Sequence, residues 1–215
     1  MTTSNSRRGL RGGALALLLL ALCCATFAAR AAEEVGRVSR IQGAASAVTE
    51  GEQRALRLLA AVHQDDVIST GAEARLEIAL NDGTVLTLGE NAQLTLDEFI
   101  YRAGGTANRF VLSVVGAFRF LSGKLADSPA HRARIRTPVV TLGVRGTDVW
   151  GGPIDRRYGV LLLEGVVEVT NAAGSVVLRT PGEGTNIAAP GTAPGAVTRW
   201  PGDKVARALA TVSFR

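Results

Sequence analysis

Apolar and polar side chains alternate along most of residues 35–187. Leu76, Ile78 and Leu80 alternate with polar or small residues, and the same period of two recurs at residues 85–88. Because successive side chains of a strand point to opposite faces of a sheet, this pattern predicts strands with one buried face and one face in water. Frequent glycines between these runs predict tight turns. We therefore expect an all-β domain.

One hairpin turn is predicted by Asp82-Gly83, which separates the run that ends at Leu80 from the run that starts at Thr84. A tight primed turn requires positive φ angles, which glycine adopts without strain. We therefore expect Gly83 to have a positive φ in this turn.

The C-terminal part has a different pattern. Residues 188–202 contain three prolines and three glycines, which predicts an extended linker or arm. Residues 203–215 follow as a short helical tail, in which Asp203 is expected to cap a helix with Val205, Leu209 and Val212 on one stripe. We expect this stripe to pack back on the β domain rather than to bind a partner.

Residues 1–31 have the three parts of a secretory signal peptide. A basic stretch precedes an apolar stretch from Ala14 to Ala29, and a small-x-small site follows at Ala29-Arg30-Ala31. The apolar stretch is shorter than the roughly 20 residues that cross a bilayer, so cleavage after Ala31 is favoured over a retained membrane anchor. We expect export to the periplasm or the cell exterior, by the Sec or the twin-arginine route, of a protein that is not integral to the membrane after cleavage.

Composition excludes several classes of function. The chain has 215 residues, 47% of them hydrophobic and 20% charged, which is typical of a folded protein. Its formal net charge of +5 arises from arginines that precede the first acidic residue, Glu33, so nucleic acid is not an expected partner. Both cysteines, Cys23 and Cys24, lie in the leader. The remaining chain therefore has no thiolate nucleophile, thiolate metal ligand or redox dithiol.

Residues with catalytic or metal-binding chemistry are scarce. The two histidines, His63 and His131, are not in a metal-ligand spacing, and no serine lies in a Gly-x-Ser-x-Gly elbow. Scattered carboxylates such as Asp66, Asp82 and Asp148 would form a glycosidase pair or a calcium site only if the fold brought them together, and turn or edge positions explain them equally well. We expect no enzyme activity, no metal and no cofactor.

Several segments of the chain resemble the FecR domain family. They are Gly36-Arg37-Val38 with Gly43, residues 66–71, residues 80–89, Arg136-Thr137-Pro138 with Gly143-Val144-Arg145-Gly146-Thr147, and residues 161–167. The Thr-Pro pair together with Gly-Val-Arg-Gly-Thr is the most specific part. The resemblance covers roughly residues 35–187. It implies an all-β extracytoplasmic domain, a twisted stack of short strands with β-solenoid or sandwich character, without catalytic activity. It also implies binding to an envelope or outer-membrane protein.

In regulators of that family, a cytoplasmic anti-sigma segment and a transmembrane helix precede the domain. The segment before the apolar stretch is here too short to fold as a domain. We therefore expect a scaffold or the sensing part of an envelope system rather than a complete transmembrane regulator.

The motif that carries this resemblance is expected to be structural. Its residues are Thr137, Pro138, Gly143, Arg145, Gly146, Thr147 and Asp148. Arg145 lies between apolar runs, so we expect it to be partly buried and to pair with Asp148 or Glu164. The alternative is an arginine that faces an anionic ligand or a carboxylate of a partner.

Five arginines are the candidate partner-binding residues: Arg132, Arg134, Arg136, Arg156 and Arg157. The first three alternate with Ala133 and Ile135 on a predicted strand, and the last two follow a turn. They form a candidate basic patch for an acidic protein or an anionic glycan, and a charged strand edge that prevents aggregation is the alternative interpretation. The expected function is that of an exported, non-enzymatic interaction module, with an envelope-polysaccharide-binding module as the alternative.

Overall fold

The computed structural model describes residues 33–100, 109–123 and 133–215. The predicted signal peptide, His131 and the candidate binding residue Arg132 lie outside the described residues. Within the described part of the chain, no helix has the length and hydropathy of a membrane span.

Strands dominate the described residues, and the prediction of an all-β fold with a short C-terminal helix is confirmed. The first eight strands are β1 (Glu34–Gln42), β2 (Ala45–Thr49), β3 (Glu52–Ala55), β4 (Ala61–His63), β5 (Val67–Thr70), β6 (Arg75–Leu80), β7 (Val85–Leu88) and β8 (Gln93–Ile100). The others are β9 (Arg109–Val115), β10 (Phe118–Leu121), β11 (Ala133–Arg136), β12 (Thr141–Ile154), β13 (Arg157–Asn171), β14 (Gly174–Leu178), β15 (Glu183–Ile187) and β16 (Thr198–Arg199). The helix α1 spans Gly202–Ala210.

These strands form one hydrogen-bonded sheet that curls into a half-barrel. Its main path runs in the order β3-β2-β5-β8-β9-β11-β12-β10-β7-β6-β1-β4. Strand β13 pairs with the full length of β12, and on its other side it pairs with β14 and then β15. β9 and β11 run parallel, so the chain must cross over between them.

The core lies inside the curl and is built by the alternation seen in the sequence. In β6, Leu76 and Ile78 are fully buried and Glu77 between them is not. A second, smaller cluster packs on the other side of β12 around Trp150 and Trp200, whose ring centroids are 6.1 Å apart.

The hairpin between β6 and β7 contains Gly83 at a φ of +88°, as the sequence indicates, but its turn is of a different type. The N–H of Gly83 donates to the carbonyl of Leu80 at 2.9 Å, and the N–H of Leu80 donates to the carbonyl of Thr84 at 2.9 Å. Asp82 has no positive φ, so neither primed turn is present. The loop instead has three residues and ends with a left-handed glycine. The carboxylate of Asp82 accepts hydrogen bonds from the N–H and the hydroxyl of Thr84, at 3.0 and 2.8 Å.

We expect Gly83→Val to lower the free energy of unfolding by about 1 to 3 kcal/mol, because a β-branched residue is strained at this φ. A Cβ at this position has no atom within 4 Å, so the loss is conformational rather than steric. Gly83→Asn is the matched control, since asparagine tolerates the left-handed region and should retain most of the stability. Equal urea midpoints for the wild-type protein and the valine variant would contradict this reading of the turn.

The segment 188–202 is extended, as its proline content indicates, and it is bound to the sheet. Its strand β16 pairs with β15, the N–H of Gly195 donates to the carbonyl of Asn186 at 3.0 Å, and Trp200 is buried. The segment therefore positions α1 against the domain.

The predicted stripe packs on the domain. Val205 of α1 and Val212, two residues beyond its end, contact the Trp150 and Trp200 cluster. Asp203 does not cap the helix, which corrects the sequence prediction. The N-cap is Pro201, and Asp203 lies inside the first turn, where its carboxylate accepts a hydrogen bond from Arg207 one turn later.

Candidate functional site

The Thr-Pro part of the motif closes the hairpin between β11 and β12. The hydroxyl of Thr137 donates to the carbonyl of Val140 at 2.8 Å and accepts from the N–H of the same residue at 3.1 Å. The backbone N–H of Thr137 also donates to that carbonyl, at 2.9 Å. Pro138 follows at the first loop position, where its fixed φ favours a turn. These residues therefore act in the architecture of the hairpin.

The two glycines Gly146 and Gly165 face each other across a bulge between β12 and β13. The pairing register shifts between Arg145 and Asp148, and the φ angles of the glycines are +54° and +82°. A Cβ on Gly165 would lie 1.9 Å from the carbonyl oxygen of Gly146, so the two backbones approach more closely than any side chain permits. Two of the segments that resemble the family thus meet at one bulge.

Thr147 links this bulge by hydrogen bonds to β13 and to the residue that follows β10. Its buried hydroxyl accepts from the N–H of Arg145 at 2.9 Å and donates to the carbonyl of Val166 at 2.9 Å. Its own N–H donates to the hydroxyl of Ser122, beyond the end of β10, at 2.8 Å. The Gly-Thr pair of the motif therefore sets the bulge geometry, which is a structural role.

Arg145 is exposed, so the prediction that it is partly buried and paired with Asp148 or Glu164 is wrong. Asp148 is buried and accepts two hydrogen bonds from Arg119 of β10 instead, Nε to Oδ1 at 2.9 Å and Nη2 to Oδ2 at 2.6 Å. The hydrogen bonds that Arg119 donates to the Asp148 carboxylate raise the pKa of its guanidinium. The physical reason is the alternation of β12: Val144 enters the core, so Arg145 points outward, and the bulge then aims Asp148 at β10.

The described arginines of the predicted patch lie in two different parts of the sheet. Arg134 and Arg136 are exposed on β11, whose partners are the first residues of β12. Arg156 and Arg157 are exposed at the hairpin that follows the last residue of β12. The two pairs thus lie at opposite ends of β12 along the chain, and a single basic patch stays a prediction.

A different set of side chains comes together on the outer face of β12, β13 and β14. Strand register aligns Gly143 with Glu168 and Glu168 with Val177, and it aligns Arg145 with Val166. Arg134 lies beside this set, because β11 pairs it with Gly143. The set lines an open groove of about 530 Å³, which we call the arginine groove: Gly143, Val144, Arg145, Val166, Glu168, Val177 and Arg179.

The arginine groove has charged side chains with few partners among the described residues. Arg145 and Glu168 form no side-chain hydrogen bond or ion pair there. The Arg179 guanidinium forms no side-chain hydrogen bond, but it attracts the carboxylate of Glu183, which accepts a hydrogen bond from the Arg179 N–H at 2.8 Å. A Cβ on Gly143 would have only Glu168 within 4 Å, so the absence of a side chain keeps the floor of the groove open. The side chains of Arg145, Glu168 and Arg179 are exposed to solvent.

Sequence reasoning did not identify Arg179 or Glu168 as candidates. Both lie on the β13 and β14 hairpin, whose alternation places Val167, Val169 and Leu178 in the core. Glu168 and Arg179 alternate with these buried residues and therefore point outward, and this alternation is the sequence signal that could have identified the groove.

We expect Arg145→Ala to change the free energy of unfolding by less than about 0.5 kcal/mol, because an exposed side chain without a partner is lost. Arg119→Ala is the matched comparison, since it leaves the buried Asp148 without its partner and should cost about 1 to 3 kcal/mol. Urea denaturation of both variants measures the difference. A destabilised Arg145→Ala protein would return this residue to a structural role.

The candidate carboxylates are each held by a different set of partners. Asp66 binds Arg54, Asp82 binds Thr84, and Asp148 binds Arg119. Among the described residues, no group of three or more histidine, cysteine, aspartate or glutamate side chains is arranged to hold a metal ion.

Residues 66–168 match the family described as FecR protein, a range that contains both glycines of the bulge. No curated protein matches the chain. Two crystal structures of a Parabacteroides distasonis protein assigned as an anti-sigma factor have the same fold, with TM-scores of 0.54 and 0.53 at 19% and 18% identity. The similarity covers 66% of this chain in both cases, and 63% and 64% of those chains, which is less than two thirds of their length.

Proposed function

We propose, from the match of residues 66–168 to the FecR protein family, that the protein is a non-enzymatic interaction module of an envelope regulatory system. The anti-sigma assignment of proteins with the same fold supports a regulatory role that is exerted through other proteins. The leader supports action outside the cytoplasm, in the periplasm or at the cell surface, as a scaffold or as the sensing part of the system.

The arginine groove carries this proposal. It offers two exposed guanidinium groups, from Arg145 and Arg179, beside the partly exposed Val166 and Val177. An arginine fork binds a carboxylate with two hydrogen bonds, and the adjacent valines contribute apolar contact. This combination favours an acidic surface of a protein partner.

Crosslinking in envelope extracts tests the proposal on the full chain, produced with its own leader. The Arg145→Gln/Arg179→Gln protein should lose a reproducible protein partner that the wild-type protein captures at moderate salt. The Arg156→Gln/Arg157→Gln protein is the control, because it removes the same charge at the β12–β13 hairpin, whose arginines do not line the groove, and should retain the partner.

An envelope polysaccharide is the competing ligand, since its carboxylates or phosphates would bind the same guanidinium groups. Titration of the purified protein with polygalacturonate at two salt concentrations separates the two cases. Polysaccharide binding that depends on Arg145 and Arg179, together with no reproducible protein partner, would replace the proposed function.

A further inference from the structure

Strand β14 is a sheet edge next to the arginine groove. Among the described strands it pairs only with β13, whereas the neighbouring β15 is covered by β16. β16 ends at Arg199, and the chain then turns away through Pro201 into α1. One side of Gly174–Leu178 therefore presents backbone N–H and carbonyl groups that no described strand satisfies.

The groove side chains are arranged in rows that lead across the sheet to this edge. One row consists of Arg134, Gly143, Glu168 and Val177, and Arg145 and Val166 form the next row. Arg179 directly follows β14 in the chain. Because rows of side chains continue from strand to strand, a strand added to β14 would place alternate side chains beside Val177 and Arg179.

We propose that β14 accepts an extended acidic segment of the protein partner as an added strand. The proposal rests on the proposed function and specifies the kind of segment that the arginine groove recognises. Backbone hydrogen bonds to β14 would hold the segment, and its carboxylates would lie near Arg179 and Arg145. Val166, which is 36% exposed, and Val177 would contact apolar or β-branched side chains between the carboxylates.

A peptide is favoured over a polysaccharide by the backbone of β14. An edge of amide groups is complementary to another peptide backbone, whereas an arginine cluster alone would bind any flexible polyanion. The valines beside the arginines add contacts that a sugar acid does not use well.

The probe is a nine-residue peptide of alternating Glu and Thr with blocked ends, mixed with the full chain after expression with its own leader. Fluorescence anisotropy should show binding at low salt, and amide hydrogen exchange at residues 174–178 should slow on binding. The Arg145→Gln/Arg179→Gln protein should bind about tenfold more weakly, as expected for the loss of charge-assisted contacts. The Arg156→Gln/Arg157→Gln protein should bind as the wild-type protein does.

Two modified peptides make the test selective. A peptide with N-methyl groups on alternate amides cannot pair with an edge and should not bind, and a peptide with Lys in place of Glu should not bind either. Equal binding of the N-methylated peptide, or unchanged exchange at residues 174–178, would overturn strand addition. Equal binding of the lysine peptide would overturn the acidic specificity.

These experiments also distinguish a failure of strand addition from a failure of the proposed function. If no peptide binds but the crosslinked partner still depends on Arg145 and Arg179, strand addition is wrong and the interaction module stands. If polygalacturonate alone binds and no protein partner is captured, both proposals are wrong.

Discussion

Gly165→Ala is expected to lower the free energy of unfolding by about 3 kcal/mol or more. Two costs add at this position. The φ of +82° is strained for alanine, and the new Cβ would lie 1.9 Å from the carbonyl oxygen of Gly146. Because that atom belongs to the backbone of β12, it cannot rotate away, and the bulge must open.

Gly143→Ala is the matched control for this substitution. It lies in the same motif on β12, its φ is not positive, and a Cβ there would have only Glu168 within 4 Å, at 3.8 Å. We expect it to change the free energy of unfolding by less than about 1 kcal/mol. Urea denaturation at pH 7 compares the two variants, and equal stabilities would mean that the two strands do not depend on their close contact at residue 165.

The local parts of the fold could be predicted from the sequence because their causes are local. Alternation places Leu76 and Ile78 inside, and a strand needs only its own residues to show this period. The positive φ of Gly83 follows similarly from two apolar runs that lie too close together for any longer connection.

The environment of Arg145 could not be predicted because it depends on residues far away in the chain. Its apolar neighbours in the sequence indicate burial, yet the bulge requires Gly165 on the opposite strand. The partner of Asp148 comes from β10, which the sequence did not place beside β12. Long-range pairing therefore decided which arginine entered the ion pair.

Whether the five arginines form one patch also depends on long-range structure. Residues 134–136 and 156–157 lie on either side of β12, one strand of 14 residues, and the distance between them is set by the curl of the sheet, which the sequence does not show. Gly143 and Gly146 resemble turn glycines in the sequence. In the structure, Gly146 lies in the bulge of a continuous strand.

Asp66 shows the same limit, because its surroundings depend on a hairpin that the sequence did not resolve. The side chain of Asp66 is fully buried, and the guanidinium of Arg54 on β3 donates to it with Nη1 to Oδ1 at 2.9 Å and Nη2 to Oδ2 at 2.5 Å. The N–H of His63 at 2.8 Å and the hydroxyl of Thr49 also donate to this carboxylate. The buried carboxylate of Asp66, the residue just before β5, thus accepts hydrogen bonds from β2, β3 and β4.

The second large effect is expected for Asp66→Ala, which should lower the free energy of unfolding by about 3 kcal/mol. Its removal takes the carboxylate acceptor from the N–H of His63 and the hydroxyl of Thr49. It also leaves the charge of the Arg54 guanidinium without a carboxylate, with Thr49 and the carbonyl of Ala61 as remaining acceptors. Asp155→Ala is the matched control. Asp155 also pairs with an arginine, Arg207, but both side chains are about half exposed, so its loss should cost less than about 1 kcal/mol.

The effect of Asp66 is also expected to depend on pH. Burial raises the pKa of its carboxyl, but the hydrogen bonds from Arg54, His63 and Thr49 lower it more, so that the pKa lies below the ordinary value of 3.8. Below pH 4 the unfolded chain therefore takes up a proton that the folded protein does not, and folded stability falls with pH. The stabilising contribution is complete at neutral pH and is lost as the pH drops through the folded pKa.

Urea denaturation of the wild-type and Asp66→Asn proteins at pH 7 and pH 3 measures this dependence. Asparagine keeps the shape of the side chain and cannot ionise, so the stability gap between the two proteins should be large at pH 7 and smaller at pH 3. A gap of the same size at both values would mean that packing around residue 66, and not the charge of its carboxylate, joins the first strands of the sheet. A gap that widens at pH 3 would contradict a lowered pKa, because a carboxylate with a raised pKa contributes most when it is protonated.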